Sequence, residues 1–318
     1  MSEAELSPTL PHGAVTPIAV DAKAPRIRPK LKDTWWRHVI AVVACVVALF
    51  PVAYIISSAF NTNNTLSGAE LIPKHTTVSS FTHLFNNSVV GTSNSKLDVP
   101  YPHWYLNTIV VALSTAVAST LLGALAAYAF SRFRFKGRRS GMLALLLIQM
   151  FPQFLAVAAI YLIVLDIGNV FPALGLNKLT ALVIVYMGGA MGVQTWLMKG
   201  FLDTIPAELD ESARVDGATP AQIFWGVVLP LAAPVLAVNA LISFIGALNE
   251  YVIASALLQT SKNWTLPVGM YGLVSDQYDK VWGPFTAGAL LIAIPPALLF
   301  FGLQRWIVSG LTAGAVKG

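Results

Sequence analysis

The chain has 318 residues, of which 56% are hydrophobic and only 11% charged, and its mean hydropathy is +0.67. A soluble domain of this length is about a quarter charged, so the shortfall excludes an ordinary soluble globular protein and points to a polytopic membrane protein. The single cysteine, Cys45, excludes a disulfide framework or thiol metal centre, and the five histidines (12, 38, 75, 83 and 103) have no ligand-like spacing.

Residues 1–34 carry Pro8, Pro11, Pro17, Pro25 and Pro29 and read as a disordered tail, too polar for the apolar core of a signal peptide. Beyond it, charge-free runs occupy Val39–Phe60, Tyr105–Phe130, Ser140–Leu165, Leu179–Met198, Leu231–Asn249 and Pro284–Gln304. Each is close to the roughly 20 residues that an α-helix needs to cross about 30 Å of hydrocarbon. Trp35-Trp36, Trp104-Tyr105 and Trp306 fall at the predicted span ends, where amphipathic rings prefer the headgroup region. Six spans place both termini on one side. That side holds fifteen basic residues: Lys23, Arg26, Arg28, Lys30, Lys32, Arg37, Arg132, Arg134, Lys136, Arg138, Arg139, Lys199, Arg214, Arg305 and Lys317. The other side holds five: Lys74, Lys96, Lys178, Lys262 and Lys280. The positive-inside rule then makes both termini cytoplasmic, and the net charge of +5 reflects topology, not nucleic-acid binding.

Between the spans, the polar stretch Asn61–Trp104 is long enough for a small extramembrane cap. The basic turn Ser131–Arg139 reads as a clamp on lipid phosphates. No internal repeat is visible, which counts against an inverted-repeat carrier. There is no phosphate-cradling Gly-x-x-x-x-Gly-Lys-Ser/Thr, no Gly-x-Ser-x-Gly elbow and no His-Glu-x-x-His. Within the runs, Gln149, Gln153 and Gln194 fit either a sugar route or hydrogen bonds between helices. Asn249-Glu250 ends the fifth run, and Glu250 is either a coupling group in a pathway or an interhelical anchor. Pro51, Pro152, Pro295 and Pro296 predict kinks.

One charged island interrupts the apolar pattern, over residues 203–230. Asp203-Thr204 with Pro206 predicts a capped helix start, and Glu208, Asp210 and Glu211 place negative charge where the helix dipole favours it. Gly217 is placed for a left-handed end, Thr219-Pro220 for a second start, and Leu229-Pro230 for the return to the membrane. Leu209, Ala213 and Val215 form an apolar strip, and small Ser212 and Ala213 permit close approach. The plainest reading is an amphipathic connector lying on the bilayer. An acidic helix suits an anionic inner leaflet poorly, however, and suits a protein partner better.

The pattern Glu211-Ser-Ala213, Gly217, Leu229-Pro230 resembles the EAA loop of binding-protein-dependent ABC importer permeases. The stretches Tyr128-Ala-Phe-Ser-Arg-Phe-Arg-Phe135, Gln149-Met-Phe-Pro152, Asp216-Gly-Ala-Thr219, Gln304-Arg-Trp306 and Gly310-Leu-Thr-Ala-Gly-Ala-Val-Lys-Gly318 are similar to the MalG-like, maltose/maltodextrin-type group, over residues 37–318. The resemblance implies an all-α membrane protein with six transmembrane helices in the type I ABC importer permease (MetI/MalG-like) fold. Its domains would be a tail over 1–34, a permease domain over 35–308 and a cytoplasmic tail over 309–318. The implied complex contains a MalF-like sister permease, two ABC ATPase subunits and an extracytoplasmic sugar-binding protein, in the bacterial cytoplasmic membrane. Magnesium ATP would be bound by the ATPase subunits, and no cofactor by this chain. Glu208, Glu211, Ser212, Ala213, Asp216, Gly217, Leu229 and Pro230 are implied to couple to the ATPase, with Glu211 pairing with a basic group there. Leu311, Thr312, Gly314 and Lys317 would reach between the ATPase subunits, and Trp264, Thr265, Leu266, Gly269 and Met270 would belong to a loop entering the binding protein. The intramembrane sugar site of such systems is implied to lie mainly in the sister permease. Ser212 departs from the group's usual Ala, and Asn263-Trp264 and Pro267 depart from its loop pattern, which leaves the sugar open among maltose, maltodextrin, trehalose and related glucosides. The competing reading is an autonomous secondary transporter using Glu250 for ion coupling.

Overall fold

The computed structural model describes residues 31–62, 75–90, 96–275 and 281–315. The expected N-terminal tail lies outside these residues up to position 30, and a helix begins at Leu31, inside the segment expected to be tail. Two compact units divide between Phe50 and Pro51. The first is the leading part of helix α1 (Leu31–Ala59), which runs through Pro51 without interruption.

Within the second unit, which begins at Pro51, Ser57, Ser58 and Ala59 are buried. The cap expected over 61–104 is present as a bridge between Asn61 and Thr76, helix α2 (Ser79–Phe85) and an antiparallel pair, β1 (Ser88–Val90) with β2 (Lys96–Asp98), in which Val89 faces Leu97. Leu84, Val89 and Val99 bury against Tyr101 and Trp104, at the start of the 32-residue α3 (Tyr101–Arg132).

After α3, Gly137 takes φ +88, a conformation that glycine reaches without a Cβ clash, and starts α4 (Arg138–Gln149). The predicted run Ser140–Leu165 is not one helix. It breaks at Pro152, and the second piece, which becomes α5 (Val157–Val170), is bent by 84° from α4. Pro152 has no N–H to donate and drives the preceding residue away from helical ψ, which is the physical reason for the break. Next come α6 (Leu179–Leu202) and the island helices α7 (Glu208–Val215), α8 (Pro220–Ile223) and α9 (Leu229–Leu231). A bend of 79° then leads into α10 (Ala233–Asn249), followed by α11 (Val252–Leu257), α12 (Leu266–Gly272), α13 (Trp282–Ile292) and α14 (Ile294–Ala315). Among the described residues, Trp35–Ala59, Tyr101–Arg132, Leu179–Leu202 and Trp282–Ile307 are long and apolar enough to span a membrane, and the two bent pairs bring the number to six. Pro295 and Pro296 sit in the first turn of α14, just past a break at Ala293.

Helices α3, α6 and α10 form the centre of the second unit. Ala112, Ala116, Ser119, Gly123 and Ala124 line the buried side of α3. Small residues there let the helix backbones approach, and in lipid this packing replaces the hydrophobic drive that joins helices in water. The opposite face of α3 is apolar and exposed, with Leu106, Val110, Leu113 and Val117 recurring at helical spacing. Two further clusters close the ends. One joins the cap to α12, and the other joins the ends of α3 and α6 to the island.

Candidate functional site

The island opens with two short helices, α7 and α8, and continues through a π-helical stretch into α9. On α7 the 3.6-residue period separates two faces. Asp210 is 2% exposed and Ala213 is half-buried, whereas Glu208, Glu211, Ser212 and Val215 are exposed along the other side. The inward carboxylate meets Arg132, the last residue of α3, with Nε 3.0 Å from Oδ2. Arg132 also donates through Nη2 to the Ile205 carbonyl at 3.0 Å. One guanidinium therefore ties the end of a spanning helix to both the entry and the first turn of the island. The three residues of the expected apolar strip do not share one face: Ala213 is half-buried on the inward side, whereas Leu209 is 41% and Val215 88% exposed. The pair Arg132–Asp210 is a feature of the site that the sequence pattern did not assign. Its available signal was a carboxylate placed by period on the same face as Ala213 and Gly217.

The ends of the island follow local chemistry. The Gly217 N–H bonds to the Arg214 carbonyl at 3.0 Å and the Ala218 N–H to the Ala213 carbonyl at 2.9 Å, with Gly217 at φ +84. These are the two bonds of a Schellman end, as the position of Gly217 predicts. Thr219 and Gln222 form a reciprocal capping box at the start of α8, as Thr219-Pro220 predicts. Two expectations are corrected. Asp203 and Thr204 do not cap α7, whose N-cap is Ala207 without a side-chain bond. Asp203 instead accepts from Ser131 Oγ at 2.7 Å and pairs with Lys199. Burial alone would raise its carboxyl pKa, but the bonds from Lys199 and Ser131 and the Lys199 and Arg138 charges hold it below the ordinary carboxylate value. Leu229-Pro230 does not end the second helix either. The chain widens into a π-helical stretch over Phe224–Val228, which accommodates the missing N–H of Pro230, and turns only at Ala232. Ile223, Phe224 and Val228 bury against Ala127, Tyr128, Met198 and Leu202, with the Tyr128 and Phe224 rings 5.2 Å apart.

Most of the intramembrane polar candidates hold helices together. Gln149 Nε2 donates to the Gly189 carbonyl at 2.7 Å, and Gln194 Nε2 donates to Ser243 Oγ. Asn249 donates to the Ile245 carbonyl one turn back. Gln153 lies in the 3-10 turn between α4 and α5, and its side chain is outside the description. Glu250 sits at the break between α10 and α11, where its carboxylate accepts the Ile253 N–H at 2.8 Å, the Ala254 N–H at 3.0 Å and the Tyr186 hydroxyl. A carboxylate with three donors at the start of a helix is an anchor, and this favours the structural reading of Glu250.

The segment expected to reach a binding protein is folded inward. Thr265, Leu266, Gly269 and Met270 are buried, and Trp264 is half-buried, with its Nε1 donating to the Leu258 carbonyl at 3.0 Å. Gly269 packs flat on the Trp104 indole, and a Cβ there would overlap the ring. Gly269→Ala is expected to cost about 1–3 kcal/mol through overpacking, read as a lower thermal midpoint of the purified chain. An unchanged midpoint would mean that Trp104 moves aside freely. At the C-terminus, Leu311, Thr312 and Gly314 lie within α14, which continues to Ala315, and Lys317 lies outside the described residues.

The described residues thus form a multi-span helical protein in which the ends of α3 and α6 pack against the helix pair α7 and α8 and the turn that follows it. Residues 119–313 match the family described as binding-protein-dependent transport system inner membrane component. The chain is 41% identical over 273 residues to the galactooligosaccharides transport system permease protein GanQ of Bacillus subtilis (strain 168), covering 86% of this chain and 92% of that protein. It is 38% identical over 286 residues to the maltose/maltodextrin transport system permease protein MalG of Vibrio vulnificus (strain YJ016), covering 89% and 96% respectively. The crystal structure of a bacterial ABC transporter involved in the import of the acidic polysaccharide alginate shares the fold, with a TM-score of 0.70, 23% identity, and coverage of 87% of this chain and 97% of that chain. The chain belongs to the binding-protein-dependent transport system inner membrane components, and within them to the permease subunits of ABC sugar importers. The autonomous-carrier reading is not favoured.

Proposed function

We propose that this chain is one half of the translocation pathway of an ATP-driven oligosaccharide importer, acting with a sister permease, two ATPase subunits and an extracytoplasmic binding protein. The observation that carries the reading is the outward stripe of α7. Glu208, Glu211, Ser212 and Val215 are exposed, while the opposite face is fastened to α3 by Arg132–Asp210. A helix held so firmly on one side and left apolar and acidic on the other is built to receive a push. Closure of an ATPase dimer against that stripe passes through Arg132 into α3, and through the cluster around Tyr128 and Phe224 into α6 and α10. The fifteen-to-five split of basic residues supports a cytoplasmic island and cytoplasmic termini. The cargo is a neutral oligosaccharide. Similarity to a maltodextrin permease supports glucosides, and similarity to a galactooligosaccharide permease widens the range to galactosides.

The test is uptake into proteoliposomes containing the whole complex. Transport is expected with ATP on the island side and a loaded binding protein on the other, and none with an ion gradient alone. Uptake that persists on an ion gradient without ATP would sink the proposal.

A further inference from the structure

Between the start of α4 and the end of α6 runs a groove of about 940 Å³, on the island side of the spans. Both of its walls change character at the same depth. At the mouth stand Arg138 and Arg139, which open α4, and Lys199 and Asp203, in the last turn of α6 and just past it. One and two turns further into the spans the lining becomes Met142, Leu143 and Leu146 of α4 with Trp196 and Leu197 of α6. Leu143 is 53% and Trp196 50% exposed, so this apolar wall is open to whatever fills the groove. An indole at the end of a span prefers the headgroup region, which places the mouth at the membrane boundary.

The charges at the mouth do not cancel. Asp203 is the one carboxylate of the lining; it pairs with Lys199 and lies in the field of Arg138, and it cannot neutralise three cations. Arg138 meets a neutral group, donating through Nη2 to the Ser131 carbonyl at 3.4 Å. Arg139 is exposed and has no hydrogen bond or ion pair among the described residues. The basic turn therefore divides its work: Arg132 is committed inward to Asp210, whereas Arg138 and Arg139 open onto the groove. A cationic mouth above an aliphatic and indole wall fits a molecule that is anionic at one end and hydrocarbon below it. A soluble anion would leave the wall bare, and an uncharged lipid would leave the arginines unanswered. We propose that this groove is a site for one anionic phospholipid of the island-side leaflet, its phosphate held by Arg138 and Arg139 and an acyl chain laid along Leu143, Leu146 and Trp196. The site goes beyond the permease reading, since it depends on neither the cargo nor the drive.

Two variants separate the charge from the wall. Arg139→Gln removes the unpartnered cation and leaves Arg132, Arg134, Lys136 and Arg138 to keep the turn on its side of the membrane. Gly200→Leu fills the groove from α6, where an added Cβ meets nothing within 4 Å. The measurement is native mass spectrometry of the purified chain with its copurifying subunits, supplied with phosphatidylglycerol or with phosphatidylcholine of the same acyl chains. Wild type is expected to retain phosphatidylglycerol in preference, and Arg139→Gln to lower that preference about fivefold. Gly200→Leu is expected to lower the tightly held phosphatidylglycerol by one molecule per copy of this chain. Excess inorganic phosphate is expected to leave the lipid in place, because it gains nothing from the apolar wall. Equal retention of the two lipids by wild type, or wild-type behaviour of both variants, overturns the site. Displacement of the lipid by inorganic phosphate overturns it too, since the mouth would then take soluble anions. So does loss of the sister permease from Gly200→Leu, which would make the groove a seat for that partner. Neither ATP nor sugar enters the measurement, so a failure of the transport reading leaves its outcome standing.

Discussion

Arg132→Ala is expected to destabilise the chain by about 3–5 kcal/mol and to abolish ATP-driven uptake. The substitution leaves the Asp210 carboxylate, 2% exposed, without the cation that faces it. Removing one partner of a buried pair costs more than the pair itself contributes, because the survivor keeps its desolvation penalty. It also removes the donor to the Ile205 carbonyl, so the entry to α7 loses its second tether. The thermal midpoint of the purified complex reads the first effect and vesicle uptake the second. A midpoint at the wild-type value would show that Arg132–Asp210 does not fasten the island.

Stability and transmission separate in the double variant Arg132→Met with Asp210→Leu. Apolar replacements of similar size commonly match or exceed a buried ion pair in stability, so the midpoint is expected to recover. Uptake is expected to stay low, because apolar packing does not hold α7 to the end of α3 as a buried charge pair at 3.0 Å does, and the double variant also loses the Arg132 bond to the Ile205 carbonyl. Recovery of both would reduce the pair to a stability element.

What was legible in the sequence divides by the range of the forces involved. The left-handed turn at Gly217 and the helix start at Thr219-Pro220 are settled within four residues, and both stand as read, the structure adding Gln222 as the reciprocal partner of Thr219. The break at Pro152 was visible as a kink, but not as a bend of 84°, because an apolar run records lipid solubility and not direction. Thr265–Met270 is assigned to a loop by resemblance, and its seven-residue helix, Leu266–Gly272, is too short to show a period in the sequence. Its burial comes from Trp104 and Gly269, which are 165 residues apart and meet only in the fold. Glu250 allowed two readings until α11 put two N–H groups against its carboxylate. Asp210 and Glu211 are adjacent acids of one helix, and composition cannot say which of them turns inward.

Glu211, the outward member of that pair, tests the coupling role proposed for the exposed face of α7. Glu211→Lys changes a fully outward position on α7, where no hydrogen bond or ion pair of the described chain is lost, so the thermal midpoint of the isolated chain is expected to stay within about 0.5 kcal/mol of wild type. Against an ATPase that presents a basic group, however, the variant sets two like charges together in a desolvated contact, at a cost of several kcal/mol. Uptake is then expected to vanish, with ATPase subunits either lost on purification or hydrolysing without response to the binding protein. Glu211→Gln, which keeps size and hydrogen bonding but not charge, is expected to retain assembly and part of the uptake. Its neighbour supplies the control: Asp210→Lys faces Arg132 and is expected to unfold the island before any partner is met. Should Glu211→Lys leave copurification and uptake both intact, the push enters the permease elsewhere than the Glu208–Glu211–Val215 stripe.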